Sequence, residues 1–141
     1  MQEITFEEGL ERIRAKDARY ERDAYEFVRD ALDHTRKMMG KEGRGQHVTG
    51  QELLEGVRDL AVSKYGPMAI TVFEEWGIRS CPDFGEIVFN MIEAELLAKD
   101  KRDTRADFEG GYDFYAAFRK PFLPSSKLPA APIPEPKTTR V

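Results

Sequence analysis

Few residues in this chain have the type and spacing for chemistry. Asp83-Phe84-Gly85 reproduces the magnesium triplet of protein kinases. No His-Arg-Asp loop or glycine-rich phosphate loop accompanies it, so it reads as a helix start. Asp83 suits the positive end of a helix and Phe84 enters the core. Asp30 and His34 stand four apart on one helical face, and His47 could approach them. Two ligands on a helix can seed a metal site, but nothing at a recognisable spacing completes this one. A solvent-facing His–Asp pair is the expectation. Cys81 is the single cysteine, beside a helix N-terminus that would lower a thiol pKa. No histidine lies near it in sequence to serve as a base, which points to capping or packing.

Acid–base hydrolysis needs two carboxylates at a set distance, one with a raised pKa. Glu52, Glu55, Glu86, Glu93 and Glu95 are read instead as capping or solvated side chains. Glu86 and Asn90 stand out because their helix is apolar around most of its circumference. A buried Glu must be paired, and Arg19, Arg58 and Arg79 are the available partners. Arg19, Glu86 and Asn90 therefore form a candidate buried polar cluster. No catalytic residue, metal ligand or cofactor is assigned; an enzyme built around Glu86, Asn90 and His47 is the weakest of three functional readings.

Two surfaces are candidates for binding. Arg36, Lys37, Lys41, Arg44 and His47 run from a helix end into a glycine loop, with Glu42 the one acid among them. Cations near a helix C-terminus are expected from the dipole alone, and the functional alternative is contact with a phosphate or RNA backbone. Phe108, Tyr112, Phe114, Tyr115, Phe118 and Phe122 place aromatics densely ahead of a proline-rich tail. Phe108, Phe114 and Phe118 are expected to close the core, whereas Tyr112 and Tyr115 should show a polar tip outside. Tyr112, Tyr115 and Phe122 are thus the candidate interaction surface.

Helices must position these groups. Thr5-Phe6-Glu7-Glu8 is a capping box, followed by Phe6, Leu10 and Ile13 at helical spacing. Tyr20, Ala24, Phe27 and Ala31 form a second stripe, widened by Val28, Leu32 and Met39, with Gly40 as its stop. Thr49 and Glu52 form another capping box, with Val48 and Leu53 placed as a hydrophobic staple. Gly66-Pro67 breaks the chain before a short helix containing Met68, Val72, Phe73 and Trp76, which Gly77 and Ile78 end. A fifth helix over 82–99, with Ser80 or Cys81 as cap, is expected to be central. A short sixth covers 112–119. The spacing predicts an all-α, compact bundle of five to six helices, with no strand and no internal repeat.

The chain has 141 residues, 40% of them hydrophobic, and a net charge of −4. That length suits one domain without a disulfide staple. Mild acidity disfavours nonspecific nucleic-acid binding. No apolar run approaches the ~20 residues of a membrane span, and the N-terminus has no apolar signal region, so a cytoplasmic protein is expected. Six of the eight prolines follow Lys120. Residues 1–119 read as the helical domain and 120–141 as a flexible tail with four basic residues against one acidic.

Asp17-Ala18-Arg19-Tyr20, Ala24-Tyr25-Glu26-Phe27-Val28, His47 through Gly56, Tyr65-Gly66-Pro67-Met68-Ala69, Trp76-Gly77-Ile78, Asp83 through Asn90 and Gly111-Tyr112-Asp113-Phe114 occur in that order. The set resembles a family of small uncharacterised proteins from the Planctomycetes–Verrucomicrobia group of bacteria, over roughly residues 15–118. The tail lies outside it. The resemblance implies a bacterial, cytoplasmic protein and, because the family has no established activity, carries over no catalytic residue. The leading expectation is a non-enzymatic adaptor or accessory subunit whose basic tail engages an unidentified protein partner. An RNA- or ribosome-associated factor is the alternative. Neither reading involves a membrane, and neither specifies an oligomeric state.

Overall fold

The structure, a computed structural model, describes residues 5–40, 48–97, 105–109 and 111–123. It is all-α, with no strand among the described residues. The helices are α1 (Phe6–Lys16), α2 (Arg22–Met38), α3 (Gly50–Tyr65), α4 (Ala69–Glu75), α5 (Cys81–Glu93) and the short α6 (Phe114–Phe118). Three 3-10 turns, Gly66–Met68, Arg105–Phe108 and Lys120–Phe122, join or extend them. No helix among the described residues is long and apolar enough to cross a membrane.

The helix starts follow their local chemistry. Thr5 and Thr49 each accept from the backbone N–H of the glutamate three residues on, and Glu8 and Glu52 reach back to the threonine N–H at 3.0 Å. Each reciprocal pair satisfies two amides that the helix leaves open. Before α5 the same task falls to Asp83, which accepts from the N–H groups of Arg79 and Ser80. Asp83 does so beside the amide-rich end of the helix, and Phe84 is fully buried, so the kinase-like triplet is a helix start.

α2 supplies the spine. Ala24, Tyr25, Phe27, Val28, Ala31 and Leu32 are all buried, and α3 and α5 pack against this helix. Met39 is a correction to the apolar stripe: it caps α2 beyond its last turn and is exposed. The approach of α3 is set by Gly56. A Cβ there would stand 1.8 Å from the Thr35 hydroxyl oxygen. Thr35 is itself fully buried and donates to the Ala31 carbonyl at 2.6 Å.

α4 ends as its sequence dictates. Gly77 adopts φ 91°, and the Ile78 N–H returns to the Phe73 carbonyl at 2.8 Å. This is a Schellman stop with the apolar residue after the glycine buried. The glycine is required twice over, because a Cβ would meet the Arg19 carbonyl at 2.2 Å.

α5 is central, contacting α1, α2, α3 and the Arg105–Phe108 turn. It is shorter than the expected 82–99. The helix stops after Glu93, with Glu95 at φ 65° and the Leu96 N–H bonded back to the Met91 carbonyl at 2.8 Å. The same stop motif as in α4 is thus made without a glycine. The gain is that Leu96 turns onto α1, where Gly9 has no Cβ to block it. Apolar periodicity through Ala94 and Leu96 is insensitive to this reversal, so the helix end was not visible in the pattern.

An aromatic cluster locks α4 to its neighbours. The Phe73 ring lies 5.3–6.0 Å from those of Phe27, Trp76, Phe84, Phe114 and Phe118. Such pairs add about 0.5–1.5 kcal/mol each beyond burial. Phe108 and Phe118 are buried and Phe114 half-buried, so the C-terminal arm closes the core as expected.

Candidate interaction surface

The expected polar cluster forms, and it is larger than the three residues named from sequence. It gathers where the α1–α2 connection crosses α5. The Arg19 guanidinium donates to both Asp17 oxygens, at 2.9 and 2.7 Å, and to Glu86 Oε1 at 3.3 Å. Asn90 Nδ2 donates to Asp17 Oδ2 at 3.1 Å and to the Tyr25 hydroxyl at 3.2 Å. The Tyr20 hydroxyl donates to Asp83 Oδ1 at 2.6 Å. The Arg19 guanidinium beside Asp17 holds that carboxyl well below the usual carboxylate range. Burial, reinforced by Asp83, pushes the Tyr20 phenol above the ordinary tyrosine range.

The cluster is not uniformly buried. Arg19 has 56% of its side chain exposed, against 18% for Asp17 and 29% for Glu86. It pins the connection after α1 to α5, with Arg19 closing it from the solvent side. Glu86 and Asn90 are partnered within the fold, and Arg58 pairs with Glu55 rather than with Glu86. Sequence reasoning placed Tyr20 in the core and Asp83 at a helix start, but it did not join them. Asp17 and Tyr25 were missed as members. Their separation of up to 73 residues from Asn90 leaves no local signal.

The C-terminal arm corrects one expectation. Tyr112 does not show its polar tip outside: its hydroxyl donates to the Leu54 carbonyl at 2.7 Å, and burial pushes its phenol far above the ordinary range. The backbone of Tyr112 also engages Cys81. The Tyr112 N–H donates to the sulfur and the thiol donates back to the Tyr112 carbonyl, both at 3.4 Å. Cys81 is buried and burial raises its pKa, so it is a packing cysteine. Tyr115 and Phe122 are exposed as expected, at 51% and 38%.

One concave feature of the described surface has no counterpart in the sequence reading. A groove of about 310 Å3 runs between the end of α2, α3 and the arm. Met38, Val62, Ala117 and Pro121 provide its apolar lining, and Glu55, Arg58 and Asp59 its charges. Pro121 belongs to the Lys120–Phe122 turn, which takes up the first three residues of the segment assigned to the tail. Met38 is itself exposed, and exposed Met39 and Phe122 follow Met38 and Pro121 in the chain. The lining residues come from separate elements, so no sequence motif announces them.

Beside the groove, His34 Nε2 lies 2.7 Å from Asp59 Oδ2, tying α2 to α3. The histidine's partner is therefore Asp59, not Asp30. No group of metal-ligating side chains occurs among the described residues. Of the basic patch, Arg36 and Lys37 lie in the last turn of α2, next to Met38. Lys41, Arg44 and His47 lie outside the described residues. What the geometry defines is an all-α domain with a structural polar cluster and an amphipathic groove. No protein-family model, curated protein or solved structure matches this chain.

Proposed function

We propose that this chain is a non-enzymatic interaction protein, a small adaptor or accessory subunit, that binds a protein partner along the groove and the adjoining arm. The observation that carries the reading is the groove. Apolar Met38, Val62, Ala117 and Pro121 line it together with charged Glu55, Arg58 and Asp59, and exposed Met39 and Phe122 follow two of these residues in the chain. Methionines adapt their shape to an incoming surface, and protein contacts combine apolar with polar and charged side chains. A cytoplasmic setting and a bacterial source, as the family resemblance implies, belong to the same proposal.

The test uses purified full-length protein and its Met38→Ser/Phe122→Ser variant. Both positions are exposed, so folding should be unchanged. Each is immobilised and exposed to lysate with and without nuclease. A captured protein is then identified, purified and titrated against both forms by calorimetry. The reading expects nuclease-resistant binding that weakens at least tenfold in the variant. Equal affinity for both forms would overturn it. Nuclease-sensitive retention of RNA or ribosomal proteins would replace it with the RNA reading based on Arg36, Lys37, Lys41 and Arg44.

A further inference from the structure

We propose that the groove has an occupant within this chain, the segment 124–141, and that an incoming partner must compete with it. The inference rests on the groove being a docking surface, as proposed above, and adds what fills it first.

The starting point is where the described chain stops. Pro121 lines the groove, and Leu123 follows it with its N–H bonded to the Lys120 carbonyl at 3.1 Å. Leu123 is half-buried and leaves the turn at φ −83°, ψ 132°. Those angles are close to polyproline II, the conformation that a following proline favours in the residue before it. The described chain therefore ends two residues beyond a residue that lines the groove.

The chemistry of the segment matches the walls. The lining holds two carboxylates, Glu55 and Asp59, against one guanidinium, Arg58; Glu55 lies 3.7 Å from Arg58, and Asp59 2.7 Å from His34. The segment carries Lys127, Lys137 and Arg140 against Glu135 alone. Leu128-Pro129-Ala130-Ala131-Pro132-Ile133-Pro134 follows directly on Lys127. These are apolar residues for the apolar part of the lining, and prolines reduce the entropy lost on docking. Met38, Val62 and Ala117 are the surfaces such a stretch would cover.

Tethering makes a weak contact sufficient. A short linker holds its segment at an effective concentration of about 1 mM, so an intrinsic dissociation constant near 1 mM already gives about half occupancy. An external partner would then bind about twofold more weakly than to an emptied groove.

The experiment uses the full chain with methyl-labelled methionines and a nitroxide placed through Ala130→Cys. Cys81 is buried with its pKa raised, which directs the label to the new thiol. The expected result is broadening of the Met38 methyl signal by at least half, with Met68, which is exposed and outside the groove lining, unaffected. Unlabelled peptide of sequence 124–136 added at millimolar concentration should restore Met38. Lys127→Glu in the labelled chain should reduce the broadening. An unbroadened Met38, or broadening of Met38 and Met68 alike, would overturn the proposal. If that result is joined to intact partner binding through Met38 and Phe122, only the tail inference fails. If Met38→Ser/Phe122→Ser also binds its partner normally, the groove reading fails with it.

Discussion

Gly56→Ala should destabilise this protein even though it improves an α-helix. On propensity alone the change, inside α3, stabilises by about 1 kcal/mol. The tertiary contact opposes it. The new Cβ would stand 1.8 Å from the Thr35 oxygen, 2.9 Å from its Cβ and 3.3 Å from its Cα. The hydroxyl can escape only by giving up its 2.6 Å bond to the Ala31 carbonyl, worth about 1 kcal/mol. The Cβ conflict then remains, and overpacking of this kind costs about 1–3 kcal/mol. The net expectation is a loss of about 1–3 kcal/mol and a Tm lower by about 3–10 °C. Calorimetry or urea unfolding of the variant measures it. Thr35→Ala removes the nearest atom, so the double variant should recover about 1 kcal/mol relative to additivity. A Gly56→Ala protein as stable as the parent, or a double variant that is simply additive, would refute the claim that this contact sets the α2–α3 spacing.

Three further outcomes test other parts of the fold. Glu95→Gly should stabilise by about 0.5–1 kcal/mol in urea unfolding, because Glu95 holds a left-handed conformation at φ 65° that glycine adopts freely; a loss of stability would mean the α5 stop is made differently. Asp17→Asn should lower the urea midpoint at pH 7 and lose that effect in acid. The folded-state carboxyl is depressed, so its contribution is complete above the unfolded value near 4 and declines progressively from there as pH falls toward the lowered folded-state value; a gap that does not shrink at all between pH 7 and pH 3 would contradict the Asp17–Arg19 assignment. Tyr112→Phe should cost about 1 kcal/mol through the lost bond to Leu54, while Tyr115→Ala stays within about 0.5 kcal/mol. Equal effects at the two tyrosines would put the arm in another register.

Much of the fold is written locally. The capping boxes at Thr5 and Thr49 need only residues three apart, and both form. The Gly77–Ile78 stop needs only a residue free to take positive φ with an apolar residue after it. Apolar spacing likewise assigns the buried face of α2, because helical period converts sequence position into direction. Asp83-Phe84-Gly85 could be separated from its kinase-like likeness on context alone.

Other features depend on which elements meet. Periodicity could not end α5 at Glu93, since the reversal there is favoured by the space that Gly9 leaves on another helix. It could not turn Tyr112 inward, because the acceptor is a carbonyl 58 residues away. It gave His34 the wrong acid, since a neighbour on the same helix is visible in sequence and Asp59 across the α2–α3 interface is not. The polar cluster was half legible for the same reason: a buried-helix glutamate demands a partner, but only packing chooses Arg19 over Arg58 or Arg79. The groove was wholly a product of tertiary structure, for a concavity between α2, α3 and the arm belongs to none of their sequences. Sequence by itself determined the helices, their caps and their apolar faces, because those rest on interactions within a few residues. Tertiary structure decided the partners and the open surface, because these rest on distances between residues that the chain keeps far apart.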